Sequence, residues 1–258
     1  MSIHSLKIML VSALVLAALF LMTAPAFSQG ERPAGFNPGM KAGYGDFDST
    51  RFQAAIGTDG ALGVLAKQNS VIGDPNVSFG FAEKSDEAKF LIIGALYSEA
   101  IAYLKGGDYG ASAKRLQSIE QEFINLRVPP SLYNYVSKTR NLVELKKLDT
   151  ATLMDFLSLF QPFFEDYAKA QGAYKLTLFR TGTWLVDLGL AASAGNKALL
   201  KQTERIEYFV NEMKRMDAPK GVIESLETIR QISLKNDITD RDTDTVVKMV
   251  RKIQTTLG

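Results

Sequence analysis

The sequence predicts an all-α protein made of two stacked copies of a three- to four-helix unit, preceded by a flexible Gly/Pro-rich arm. Apolar residues recur at helical spacing throughout the body, and no alternating pattern typical of strands is present. Short breaks separate the helices, and the same order of breaks occurs twice. The breaks are Gly106-Gly107-Asp108 and Val128-Pro129-Pro130 in the first copy, and Ala194-Gly195-Asn196 and Asp217-Ala218-Pro219 in the second.

Matching breaks at matching spacing are typical of a duplicated supersecondary unit. The first helices of the copies align at a shift of 88 residues, which places Gly94 on Gly182. The third helices align at a shift of 90 residues, which places Pro129 on Pro219. Stacking one copy on the other buries the apolar face that each would leave bare. We expect repeat units of about 86–171 and 174–257, with chance similarity between amphipathic helices as the alternative.

The N-terminus predicts a secretory signal peptide over residues 1–26. A weakly basic start is followed by an apolar run of 15 residues from Ile8 to Met22 and by small residues up to Ala26. The run is shorter than the roughly 20 apolar residues of a bilayer span. We expect cleavage after Ala26, or after Ser28 as second choice, and a periplasmic or secreted protein with no stable membrane span. An uncleaved membrane anchor is the alternative.

Composition excludes several classes of chemistry. The chain has no cysteine, and its only histidine, His4, lies inside the predicted signal peptide. Thiol catalysis, thiolate metal sites and histidine-dependent hydrolases are therefore excluded. We expect no cofactor and no metal, and an enzyme is not the favoured class. The net charge of +2 gives no strong field for nucleic acid, so no nucleic-acid partner is expected.

Residues 27–84 are expected to form a flexible arm with short helices. The stretch from Gln29 to Gly45 is rich in glycine and proline and lacks periodicity. Its spaced aromatic residues, Phe36, Tyr44 and Phe47, could dock on the domain or on a partner, although a solvated tether is favoured. One or two short helices are expected between Asp48 and Ala66.

The helical domain is expected over residues 85–258. Its first helix is apolar on two sides, and Pro162 should kink or split the fourth helix because proline removes a backbone donor. A stripe of phenylalanines in this fourth helix is expected to be core. The helices after the first are expected at Tyr109–Arg127, from Ser131, from Asp149 or Thr150, at Tyr174–Ala194, Lys197–Met216, Lys220–Lys235 and Thr243–Leu257.

The first hairpin resembles the tetratricopeptide repeat. That repeat has a large, a small and an aromatic residue in its first helix, and here these are Leu96, Ala100 and Tyr103. The turn is Gly107-Asp108-Tyr109, and Ser112 is the small residue that follows it. The second copy places Trp184 at the position of Leu96. The resemblance covers about 35 residues per copy. It implies stacked helical hairpins and, by analogy, a role in binding a partner.

Two pairs of charged residues occupy matching places in the copies. Glu99 aligns with Asp187, and two such carboxylates could bind a cation or act as the acid and base of glycan cleavage. Arg140 aligns with Arg230, and these could grip an acidic partner group. Ordinary solvated helix faces are the alternative for all four. With Trp184, they are the candidate partner-binding residues.

The sequence Asp240-x-Asp242-x-Asp244 superficially resembles the start of a calcium loop. It has Thr245 where the loop needs glycine and Arg251 where it needs glutamate. The aspartates are therefore expected to cap the last helix and to complement its dipole.

These observations favour an exported, non-enzymatic helical protein that binds a protein or peptide partner in the cell envelope, as a scaffold or accessory subunit. One alternative is a small-molecule or lipid binder with an apolar cavity between helices, among the phenylalanines of 153–167. A carboxylate-based glycan hydrolase is the other.

Overall fold

A computed structural model describes residues 44–72 and 86–257 of the chain. The predicted signal peptide, the arm up to residue 43, and residues 73–85 lie outside this part. The all-α class is confirmed, because the described residues contain helices and no strand. The helices are α1 Ser49–Ile56, α2 Asp59–Asn69, α3 Asp86–Lys105, α4 Tyr109–Asn125, α5 Pro130–Glu144, α6 Thr150–Ser158, α7 Phe160–Gln171, α8 Ala173–Ser193, a 3₁₀ turn Lys197–Leu200, α9 Thr203–Arg215, α10 Lys220–Ser233 and α11 Asp240–Leu257.

Helices α3 and α8 form the centre of the molecule. They are the longest, with 20 and 21 residues, and they share the most extensive interface between any two elements. Both are apolar around most of their circumference, which is typical of a helix buried on all sides. Helices α2 and α4 pack on α3, while α7 and α11 pack on α8. The core therefore runs along the central pair.

The central helices cross where each has a glycine. A Cβ built on Gly94 would lie 2.1 Å from the carbonyl oxygen of Phe179, and one built on Gly182 would lie 2.0 Å from that of Leu91. These contacts are reciprocal, since Phe179 and Leu91 are themselves related by the 88-residue shift. Only glycine permits so close an approach of the two backbones.

The breaks of the two copies have the same local geometry. Gly107 and Gly195 both adopt positive φ, at 78° and 70°. In each copy the residue after this glycine caps the next helical element. The side chain of Asp108 accepts a hydrogen bond from the amide of Ala111 at the start of α4. The side chain of Asn196 accepts one from the amide of Leu199 in the 3₁₀ turn. These matches support the duplication, which stays a hypothesis.

The copies differ in their second and fourth helices. The single helix expected at Lys197–Met216 is wrong, because the second copy has the 3₁₀ turn at that start, then a break at Lys201 and Gln202, and then the shorter α9. In the first copy the expected fourth helix is split into α6 and α7 at Leu159, and Pro162 lies in the first turn of α7, where its missing N–H costs no helical hydrogen bond. The split that Pro162 predicts is therefore present.

The entering segment 44–48 packs on the body, which corrects the expectation that its aromatic residues belong to a solvated tether. The short helices expected between Asp48 and Ala66 are present as α1 and α2. Tyr44 and Phe47 are buried, and the Tyr44 ring lies against Tyr208 with a centroid distance of 5.7 Å. The guanidinium of Arg180 lies 4.3 Å from the centre of the Tyr44 ring. Arg205 donates from Nε to the carbonyl oxygen of Tyr44 at 3.0 Å. Aromatic burial and cation–π contacts outweigh the loop composition.

The last helix begins at Asp240, three residues before the expected start at Thr243, and Asp242 takes part in its capping as predicted. The carboxylate of Asp242 accepts from the amide of Thr239 at 2.9 Å, while the amide of Asp242 donates to the Thr239 hydroxyl at 3.3 Å. This reciprocal pair is a capping box. Within residues 44–72 and 86–257, no helix combines the length and apolar character that a membrane span requires.

Candidate functional site

The carboxylate of Glu99 is buried beneath a small cleft. Its side chain lies on α3 and forms an ion pair with Arg115 of α4, with 2.7 Å between Oε2 and Nε. Arg115 also donates to the hydroxyl of Ser70 at 3.3 Å. Burial raises the pKa of Glu99, and the charge of Arg115 opposes that rise. The charge of this carboxylate is thus balanced inside the protein.

The cleft above Glu99 lies between α2, α3, α8 and α11. Its wall includes Asn69, Val186 and Gln254, and its free space holds about one water molecule. The side-chain oxygen of Gln254 is buried and has no hydrogen-bond partner there. A single ordered water is the occupant that this size and polarity fit.

Asp187 is buried in a different setting. Its Oδ1 accepts from the hydroxyl of Ser98 on α3 at 2.7 Å and from the amide nitrogen of Gln53 on α1 at 2.7 Å. Burial raises its pKa to about 7, although hydrogen bonds from Ser98, Ser49 and Gln53 lower it. All its hydrogen-bond donors are neutral groups.

The two aligned carboxylates are therefore both buried, contrary to the solvated alternative, but they do not form one site. Glu99 bonds to α4 and the end of α2, whereas Asp187 bonds to α1 and α3. Glycan cleavage requires two carboxyl groups on opposite sides of one accessible bond. The described residues also contain no group of three or more acidic or other ligating side chains suited to a metal ion.

The two aligned arginines bind glutamates of the preceding helix. Arg140 of α5 lies 3.2 Å from Glu120 of α4, and Arg230 of α10 lies 2.9 Å from Glu207 of α9. All four side chains are partly exposed. The arginines therefore brace neighbouring helices at matching places in the two halves.

Trp184 belongs to the core. It is completely buried, and its ring stacks on Phe209 with a centroid distance of 4.6 Å. Its indole nitrogen donates to the side chain of Gln202 at 3.3 Å. The structure thus leaves Trp184 no exposed surface for a partner.

The phenylalanine stripe of the fourth helix is also core, as its spacing predicts. The Phe164 ring packs against Phe160 and Phe123 with centroid distances of 5.4 and 5.1 Å. The hydroxyl of Tyr97 behind them donates to the carbonyl oxygen of Leu157 at 3.0 Å. These rings pack against one another at the positions where the small-molecule hypothesis expects an apolar cavity.

Sequence reasoning missed an apolar surface formed by the exposed Leu159 and Phe163 and the partly buried Tyr135 beside them. Leu159 is 50% exposed and Phe163 51% exposed, and they lie one turn apart at the start of α7. The ring of Tyr135 on α5 lies 6.3 Å from that of Phe163. The sequence contained a signal for this surface, because Leu159 and Phe163 are large apolar residues that fall outside the stripe expected to be core.

Comparison with known proteins finds no family model, no curated protein and no solved structure that matches the chain.

Proposed function

We propose that the chain is an exported protein, periplasmic or secreted, which binds a protein or peptide partner in the cell envelope as a scaffold or accessory subunit. The observation that carries this proposal is the apolar surface of Tyr135, Leu159 and Phe163. Single exposed apolar side chains are ordinary, whereas contiguous exposed apolar side chains are a feature of interaction sites.

The chemistry of this surface favours an apolar segment of a protein as the occupant. Exposed aromatic side chains that lose water on binding supply much of the energy of protein interfaces. Tyr135 is partly buried against the core, which limits the motion of its ring, so ordering it against a partner costs little entropy. The surface is small, which suits a transient or peptide-sized contact.

The buried polar groups support binding rather than catalysis. The carboxylates of Glu99 and Asp187 are engaged within the protein, and the cleft at Glu99 has room for about one water molecule. A reaction would need a substrate within hydrogen-bond reach of such a group.

Site-specific photocrosslinking in the producing cells tests the proposal. A crosslinking amino acid at position 163 should give a discrete adduct with one protein of the envelope fraction. Leu234 provides the matched control, since it is equally exposed, at 52%, at the end of α10. The adduct should disappear when Leu159→Ser is added. Equal labelling from positions 163 and 234 would contradict the proposal.

Export is tested separately by cell fractionation and N-terminal sequencing. The protein should leave the cytoplasm, and its first residue should be Phe27. An intact N-terminus on protein recovered from the cytoplasm would overturn the predicted location.

A further inference from the structure

Helix α1 is fastened to the central pair through a buried polar seam. Gln53 of α1 is completely buried and donates from its amide nitrogen to the carbonyl oxygen of Ser98 at 2.9 Å and to Asp187 at 2.7 Å. The hydroxyl of Ser98 donates to the same oxygen of Asp187. The Asp187 carboxyl therefore bonds to α1 on one side of the seam and to α3 on the other.

The seam contains a carboxyl group without a cation. The leading influences on the pKa of Asp187 are burial and hydrogen bonds from neutral side chains, and the charge of Asp48, at the start of α1, raises it further. A buried charge with neutral partners alone is unfavourable, so the closed seam favours the protonated carboxyl. If α1 lifts away, water reaches Asp187, and its pKa should return to about 4.

The other ionisable groups around Asp187 do not compensate its charge. The Tyr97 hydroxyl of α3 and the Tyr44 hydroxyl have pKa values raised well above the usual range, chiefly by burial, so both are neutral. The charged groups nearest in sequence or packing are accounted for elsewhere. On α3, Glu99 is paired with Arg115, and Glu165 of α7 is paired with Arg180 of α8. Arg51 of α1 is exposed and paired with Asp48, and Lys67 of α2 and Arg251 of α11 are exposed.

We infer that residues 44–69 form a pH-sensitive clasp, which is held closed on the body when Asp187 is protonated and opens more often when Asp187 is ionised. The clasp consists of the entering segment 44–48 with α1 and α2, and it covers apolar surface of α3 and α8. Opening would uncover that surface. The inference does not depend on the partner proposed above.

The sign and size of the effect follow from proton linkage. The closed clasp binds the Asp187 proton more tightly than the open clasp. A rise in pH therefore favours opening between the pKa of Asp187 in the open form and its pKa in the closed form. The open fraction should increase by up to about tenfold per pH unit between about 4 and 7 and then level off. Acidic conditions should close the clasp.

Amide hydrogen exchange of the purified protein tests the inference. After correction for intrinsic rates, exchange at 53–56 in α1 and 62–66 in α2 should accelerate by up to about a hundredfold from pH 5 to 7. Amides 185–191 of α8 serve as the internal reference and should change much less. Exchange that rises by the same factor in all three stretches would overturn the inference.

Two variants sharpen the test. In Asp187→Asn the clasp amides should lose this pH dependence, whereas in Asp48→Asn they should keep it with a lower midpoint, because Asp48 raises the pKa of Asp187. Retention of the full pH dependence in Asp187→Asn would refute the mechanism.

If Asp187→Asn fails to fold, a carbon-13 titration of the Asp187 carboxyl in the wild-type protein provides the test. A midpoint near 7 supports the clasp, and a midpoint near the usual value of about 4 overturns it.

Discussion

Replacement of Gly182 by alanine should separate the two central helices. The added Cβ would stand 2.0 Å from the carbonyl oxygen of Leu91, a distance that real Cβ atoms do not adopt. The opposing atom is main chain, so no rotamer change relieves the clash. Helices α3 and α8 must therefore move apart by about 1 Å or more before ordinary contact is restored, and gaps of that size remove a quarter to a half of each dispersion contact.

The loss in stability can be bounded from known effects. Overpacking a core costs about 1–3 kcal/mol and occasionally more, and this contact lies in the largest interface of the molecule, which places it at the upper end. Alanine gains at most about 1 kcal/mol over glycine in a helix. We expect a net fall of about 2 kcal/mol or more in the free energy of unfolding, or roughly 5 °C or more in Tm. Gly94→Ala should behave alike, because its Cβ would lie 2.1 Å from the oxygen of Phe179.

Urea unfolding followed by far-ultraviolet circular dichroism measures this effect, and Trp184 fluorescence reports on α8 directly. Gly60→Ala is the matched control, since Gly60 is a helical residue of α2 with no heavy atom within 4 Å of the added Cβ. That variant should be as stable as wild type or up to about 1 kcal/mol more stable. Unfolding of Gly182→Ala at the same urea concentration as Gly60→Ala would contradict a steric clash at the helix crossing.

Three further predictions concern ionisable groups. Because burial raises the pKa of Asp187 to about 7, the contribution of Asp187 to the free energy of unfolding should fall by roughly 3 kcal/mol from pH 4 to 7. Urea titrations of Asp187→Asn should lack this loss. Arg115→Met leaves the Glu99 carboxylate buried without its cation, so it should lower the free energy of unfolding by about 3–5 kcal/mol at pH 7. Combining it with Glu99→Gln should restore most of that loss. A double variant no more stable than Arg115→Met alone would contradict this. Hydrogen bonds from Lys235 and Thr239 lower the pKa of Asp242 to about 2. The stabilising effect of this carboxylate is therefore present above pH 4 and is lost as the pH falls toward 2. Over that pH range the Tm of Asp242→Asn should decline less than the Tm of the wild type.

The helices and their breaks were predictable because they depend on neighbouring residues. Apolar spacing, capping side chains and positive-φ glycines act within a few residues of each other. The alignment of Gly94 with Gly182 also came from the sequence, because both copies carry their glycine at the same place. The reason for that match, a close backbone crossing, required the structure.

The burial and hydrogen-bond partners of Glu99 and Asp187 were not predictable, because those partners are distant in the sequence. Gln53 is 134 residues from Asp187, and a helical acid is exposed in most proteins. The docking of Tyr44 was missed for the same reason: glycine-rich surroundings indicate a loop, but they do not reveal the rings and guanidinium groups that the loop meets.

The crossing of α3 and α8 also limits how the two halves can diverge. When side chains meet, enlargement of one can be offset by a second-site reduction in the other. At this crossing the opposing atoms are carbonyl oxygens, which every amino acid carries, so no replacement of Leu91 or Phe179 by another side chain could make room. Suppressors of Gly94 or Gly182 substitutions should therefore be rare at the crossing and should arise instead where the helices can shift as whole units.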